Sequence, residues 1–142
     1  ERKTRFYQAK ILENIDSEYG VKAQYDVLGR FPKEAIKTLT MDNGILFRHH
    51  KKLEKLLNIK IYFCNPYHSW EKGTIENTNG EIRKYFPKGS DVSKYTRSFF
   101  KDIEKKLNSR FMKCLKYLTP DEAYEKELKR KKLRELRRKK RK

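Results

Sequence analysis

In the segment FRHHKKLEKLLN, Phe47, His50, Leu53 and Leu57 recur at intervals of three and four residues. That spacing lays an apolar stripe along one face of a helix, and Asn58 is placed to stop it. On either side the period drops to two. AIKTLTMDNG alternates Ile36, Thr38 and Thr40 with Lys37, Leu39 and Met41, then halts at Asp42-Asn43-Gly44. IKIYFC puts Ile59, Ile61 and Phe63 on one side. Both patterns predict short strands, with the helix between them. Residues 4–12, with Phe6, Ile11 and Leu12 among β-formers, predict an earlier strand. Residues 17–29 predict a helix with Ser17 as its N-cap and Gly29 near its stop. Downstream, a helix is expected from about Thr74, followed by a linker holding Pro87 and Gly89. Phe99, Ile103 and Leu107 mark another helix. The run TPDE (Thr119 to Glu122) is a capping box with proline at the first helical position, so a last helix begins there. Strands alternating with helices imply an α/β fold with some parallel pairing. No repeats or low-complexity segments interrupt this order before the basic end of the chain.

Composition narrows the class. The chain has 142 residues, enough for one ordinary domain, and is 36% hydrophobic and 39% charged. Eight Phe and nine Tyr are too many for a disordered chain. No apolar run approaches the roughly 18 residues that span a bilayer, and no signal-peptide pattern opens the sequence, so no membrane role is expected. Cys64 and Cys114 lie far apart and outside any C-x-x-C pair, the pattern of a reduced, cytoplasmic protein. The chain opens at Glu1, without methionine and inside a strand-like run, and reads as a fragment.

Charge changes the picture most. The net charge is +18, and residues 126–142 carry twelve Lys and Arg against two Glu. This tail therefore holds +10 and the first 125 residues hold +8. A basic run can be a solvated helix or a disordered tail, but a body that is itself strongly basic points to phosphate neutralisation on nucleic acid. Leu128, Leu133 and Leu136 make too thin an apolar stripe for strong insertion at an anionic membrane surface.

Two acids carry the candidate chemistry. Asp42 ends a strand ahead of Asn-Gly, which suits a hairpin turn; the next element, however, is a helix, and a carboxylate at the end of a strand before a helix sits where α/β proteins place ligands. In a helix beginning near Thr74, Glu76, Asn79, Gly80 and Arg83 share one face. Ile75, Ile82 and Phe86 fall on the neighbouring face, where they can be buried. Polar residues crowd any solvent-facing helix surface, yet Gly80 costs about 1 kcal/mol in a helix interior unless close approach requires it. Between Asp42 and Glu76 lie 33 residues, enough for a helix, a strand and a loop to bring both acids to one end of a sheet. Paired carboxylates that bind hard cations such as Mg²⁺ suit phosphoryl transfer. His49, His50 and His68 are expected to be solvated rather than metal ligands. Trp70 is expected to pack under its loop rather than stack on a base.

The segments TLTMDNG, IYFCNPYHSWEKGTIENTNGEIRKYFPKG and LNSRFMKCLKYLTPDEAY closely resemble the integrase catalytic core of bacterial insertion-sequence transposases, those of insertion sequence 30 in particular. The resemblance covers about residues 1–124 and is densest from Thr38 to Lys88. It implies a ribonuclease H-like, retroviral integrase-like fold: a mixed sheet flanked by helices, here with its N-terminal strand missing and a basic C-terminal tail. Residues 1–125 would form a partial catalytic core and residues 126–142 the tail. It further implies an Asp-Asp-Glu triad that binds two Mg²⁺ or Mn²⁺ ions, with Asp42 as its second member and Glu76 as its third. Arg83 matches the family's basic position seven residues after the glutamate. The expected DNA contacts are Lys72, Asn79, Arg83 and Lys84 beside the acids, and Lys131, Arg134 and Arg138 in the tail. The implied partners are element ends and target DNA, with a homo-oligomer as the active form and a bacterial, nucleoid-associated location.

The triad's first aspartate lies on the family's opening strand, and no Asp precedes Asp16 in this chain. Asp16 and Asp26 stand too close to Asp42 to leave room for the two strands and helix that separate the first two acids. The expectation is therefore a transposase core fragment that is inactive alone. The alternatives are a non-catalytic, truncated DNA-binding remnant and a nuclease of the same fold. Phe111-Met112 replaces a proline-containing pair usual after LNSR, and Asn65 replaces a common Asp.

Overall fold

Two short strands of identical length run side by side in the same direction. The computed structural model describes residues 1–12, 16–66 and 68–140, and pairs β1 (Thr38–Met41) with β2 (Lys60–Phe63) in parallel, from Thr38 opposite Lys60 to Met41 opposite Phe63. Parallel neighbours need a crossover, and α2 (His50–Leu57) supplies it after a 3-10 turn at Ile45–Phe47. Asn58 ends α2 in the left-handed conformation, φ 52°, where its short amide side chain is tolerated. The stripe read from the sequence faces inward: Leu53 is fully buried in a core with Val21, Met41 and Ile61, flanked by Leu39, Phe47, Leu57, Ile59 and Phe63.

α1 (Ser17–Leu28) closes this core with Val21 and Ala23. Its cap is Asp16, one residue before the expected Ser17, and the Asp16 carboxylate accepts the N–H groups of Glu18 and Tyr19. Gly20 is required here: a Cβ at that position would lie 2.9 Å from the Leu46 carbonyl oxygen. Beyond β2 a 3-10 turn at Ser69–Lys72 leads directly into α3 (Gly73–Ile82). These elements belong to one compact unit, Lys10–Lys88, whose end coincides with the expected Pro87–Gly89 linker.

The second unit joins Glu1–Ala9 to Gly89–Lys142. α4 (Arg97–Asn108) is capped by Thr96 and buries Ile103 and Leu107. α5 (Pro120–Lys139) begins with the capping box foreseen from TPDE: the Thr119 hydroxyl accepts from the Glu122 N–H, and the Glu122 carboxylate accepts from the Thr119 N–H. It runs unbroken past residue 126, so the basic segment is helical to Lys139, while Arg141 and Lys142 lie outside the described residues.

The strand expected over residues 4–12 does not form. A strand needs a neighbouring backbone to complete its ladder, and here side chains of α4 take that place. Asn108 accepts from the Tyr7 N–H at 2.9 Å and donates to the Tyr7 carbonyl at 2.8 Å, while Glu104 accepts from the Ala9 N–H at 2.5 Å. Phe6 stacks on Tyr124 of α5 with ring centroids 4.6 Å apart. Burial, assisted by the Glu104 charge, pushes the Tyr7 phenol up to about 12.

Candidate active site at the strand ends

The carboxyl ends of the two parallel strands are where open α/β sheets place their ligands, because the strands stop there and the loops diverge. In this chain that edge is polar and tightly cross-linked. Asp42 follows β1 directly, and its Gly44 N–H turns back to the Asp42 carbonyl at 2.9 Å, so the chain leaves the sheet for α2 and forms no hairpin. The Asn43 amide donates to the carbonyl of Cys64, just beyond β2, at 3.3 Å. Asn65, the next residue, donates its backbone N–H and its side-chain amide to the two oxygens of Glu71, at 3.1 and 3.2 Å. Glu71 lies in the 3-10 turn that starts α3. A chain of hydrogen bonds thus runs from the end of β1 through the end of β2 to the N-terminus of α3.

One ion pair closes the circuit. The Lys72 ammonium lies 3.2 Å from the Asp42 carboxylate, with the lysine side chain largely covered and the aspartate mostly exposed. Lys72 is the N-cap residue of α3, and Glu76 occupies that helix's first turn. The pair therefore links the residue that precedes α3, the helix bearing Glu76, to the end of β1. Glu76 is exposed and makes no ion pair or side-chain hydrogen bond among the described residues. A carboxylate in a first turn is favoured by the positive end of the helix dipole.

Asn79, Gly80 and Arg83 follow Glu76 along the same face of α3, and all are exposed. Arg83 is the C-cap, still in helical conformation, and its guanidinium has no ion-pair partner among the described residues. Lys84 differs: its ammonium bonds both oxygens of Glu81, at 2.9 and 3.0 Å, so part of its charge is compensated within the chain. In α5, Lys131 is half-buried while Arg134 and Arg138 are exposed, and their spacing of three and four residues puts them on one helix face.

Four expectations need correction. Trp70 does not pack under its loop; it is 72% exposed, with its ring tilted against that of His68 at 4.5 Å. α3 has no fully buried residue: Ile75 is 40% exposed, and Ile82 and Phe86 are only half-buried. The reason is that the core is completed by α1 and α2, leaving α3 at the margin. Gly80 has no close neighbour either, since a Cβ there would meet nothing within 4 Å. Nothing among the described residues explains the glycine. Of the histidines, His49 is exposed, but His50 is partly covered, with Nδ1 3.1 Å from the Phe47 carbonyl and its ring edge-on to Phe63. Tyr67, within the Asn-Pro-Tyr motif, lies outside the described residues.

Asp16 and Asp26 are engaged elsewhere. Backbone N–H groups, that of Tyr19 foremost, hold the Asp16 carboxyl below the usual carboxylate range, and the ammonium of Lys10 does the same for Asp26. Among the described residues no three His, Cys, Asp or Glu side chains gather into a metal site. The donors present, the carboxylates of Asp42 and Glu76, are nonetheless of the type Mg²⁺ takes: hard oxygens, one or two from protein, the rest from water and substrate phosphate. The Lys72 ammonium sits against the first of them. The residues fit the group by donor chemistry. The framing amides of Asn43 and Asn65 were not anticipated; the repeated placement of Asn just past each strand end was their signal in the sequence.

No family model matches the chain. Among curated proteins it is similar to the transposase of insertion sequence element IS4351 from Bacteroides fragilis, 54% identical over 92 residues, which is 65% of this chain and 28% of the relative. It is 38% identical over 125 residues to the transposase InsI of insertion sequence element IS30A from Escherichia coli strain K12, covering 88% of this chain and 33% of the relative. The transposase of insertion sequence element IS1086 from Cupriavidus metallidurans is 40% identical over 84 residues, 59% of this chain and 25% of the relative. The chain thus spans about a third or less of the length of these curated relatives.

Proposed function

Because the chain belongs to the insertion sequence 30 transposase family, we propose that it forms part of the catalytic core of a DNA transposase of the Asp-Asp-Glu type, with a ribonuclease H-like fold. The observation that carries the reading is the Lys72–Asp42 ion pair at 3.2 Å, which joins the carboxyl end of β1 to the start of the helix bearing Glu76. Asp42 and Glu76 would hold Mg²⁺ or Mn²⁺. When bound, such ions supply the positive charge that activates an attacking oxygen and stabilises the leaving one.

The chain's own residues have distinct tasks in this scheme. Asp42 and Glu76 supply hard oxygen donors at one sheet edge. The hydrogen bonds of Asn43 and Asn65 fix the strand ends and the 3-10 turn, so the carboxylates are positioned before DNA arrives. Lys72 neutralises Asp42 in the free protein and turns to a phosphate oxygen when DNA and cation enter. Arg83, two turns along the exposed face of α3, meets a phosphate further along the strand. DNA, as element end and as target, is the partner, and a homo-oligomer is the working assembly. These 142 residues have no acid at the first triad position, so on their own they bind DNA without cutting it.

The test is strand cleavage and strand transfer on a labelled duplex carrying an element end, in Mg²⁺ and in Mn²⁺. A longer protein that supplies an upstream aspartate should cleave, and Asp42→Asn or Glu76→Gln in it should reduce cleavage to background with DNA affinity retained. Undiminished cleavage by either variant, or robust strand transfer by the 142 residues alone, overturns the assignment.

A further inference from the structure

Tryptophan combines a large apolar ring with a polar N–H and is enriched at binding interfaces. Trp70 is the chain's single tryptophan and is 72% exposed. Its backbone is tied into the turn by hydrogen bonds. The Gly73 N–H donates to the Trp70 carbonyl, the Glu71 N–H donates to the His68 carbonyl at 3.1 Å, and Glu71 is bonded twice by Asn65. The His68 ring braces one side of the indole. Two residues on, at most about 7 Å along the backbone, is Lys72 with its ammonium on Asp42. An aromatic ring is thus displayed next to a cation at the strand-end edge.

We propose that Trp70 is a stacking platform for one unpaired nucleobase of a DNA strand whose neighbouring phosphate is met by Lys72. The proposal rests on the DNA reading above and adds that the site takes a frayed or single-stranded end rather than an intact duplex. Stacking on an aromatic face is sequence-tolerant, because every base has a π-face. A protein partner would fit less well: the core of a protein-binding patch is depleted in charge, whereas Glu71 and Lys72 follow Trp70 directly in the chain. The body's +8 charge also favours a polyanion.

The lone tryptophan makes the experiment direct, since its emission reports only this site. The chain is titrated with a blunt duplex and with a duplex of equal phosphate number that ends in three unpaired nucleotides. Emission should be quenched by the tailed duplex and much less by the blunt one. Trp70→Ala, at an exposed position and with its fold checked by circular dichroism, should weaken binding of the tailed duplex about 5- to 100-fold. Its salt dependence should be unchanged, because no charge is removed. Trp70→Phe should retain most of the affinity. Binding without quenching, with equal affinity for Trp70→Ala, overturns the platform and leaves the DNA reading standing. Failure to bind either duplex sinks both. Quenching that follows protein concentration in the absence of DNA assigns the indole to a contact between copies and also overturns the proposal.

Discussion

A single side chain, Asn108, does the work of a β-ladder for the N-terminal segment. Its amide satisfies both the N–H and the carbonyl of Tyr7, a residue 101 positions away, and it is itself buried. Leaving a partly buried backbone group unpaired costs about 1–3 kcal/mol. Asn108→Ala should therefore destabilise this unit by about 2–4 kcal/mol. Asn108→Asp, which keeps the acceptor but buries a carboxylate with an oxygen against the Tyr7 carbonyl, should cost at least as much. Urea denaturation and amide exchange at Tyr7 provide the check: unchanged protection of Tyr7 in the alanine variant would refute the role. Such a contact leaves no local trace in a sequence, which is why residues 4–12 read as a strand. The places of Asp42 just past β1 and of Glu76 in the first turn of α3 were legible, because a strand stop marks the one and a one-faced polar helix the other. The Trp70 reading failed for the opposite reason. Exposure is set by what the rest of the fold covers, and apolarity alone does not reveal it.

At the scale of elements, local rules served well where each element meets the core. The stripe of α2, the alternation of β1 and β2, the capping box of α5 and the stop at Asn58 all reappear in the structure. α3 is different, because little of it is buried and its sequence answers to something outside the unit. Gly80 sits in the helix interior with open space where a Cβ would be. Gly80→Ala should accordingly stabilise the free protein by roughly 0.5–1 kcal/mol, through the higher helix propensity of alanine. If α3 carries the DNA face, the same substitution should weaken DNA binding, since the added methyl stands between Glu76 and Arg83. Thermal melts and duplex titrations on one preparation decide the matter. Stabilisation with unaltered DNA affinity would mean that the glycine serves no ligand on this face.

Over the whole molecule, charge sets the terms of binding. The tail's +10 and the body's +8 make a largely electrostatic, sequence-independent grip on DNA the expected mode. Regular structure turns that bulk property into a spatial one: α5 carries Lys131, Arg134 and Arg138 on one face of a continuous helix. Not every cation in the helix is available to DNA, because Arg130 pairs with Glu127, which also pairs with Lys3. Each duplex phosphate neutralised contributes about −0.9 to the slope of log K against log salt. Replacing Lys131, Arg134 and Arg138 together by Gln should flatten that slope by about 2.7 units, if each meets one phosphate. Arg83→Ala should change it by only about 0.9, yet should impair placement of the strand over Asp42 and Glu76. Affinity for a short duplex at several salt concentrations separates the two effects. An unchanged slope in the triple variant would make this face of α5 a solvated surface and leave the body of the chain to hold the DNA.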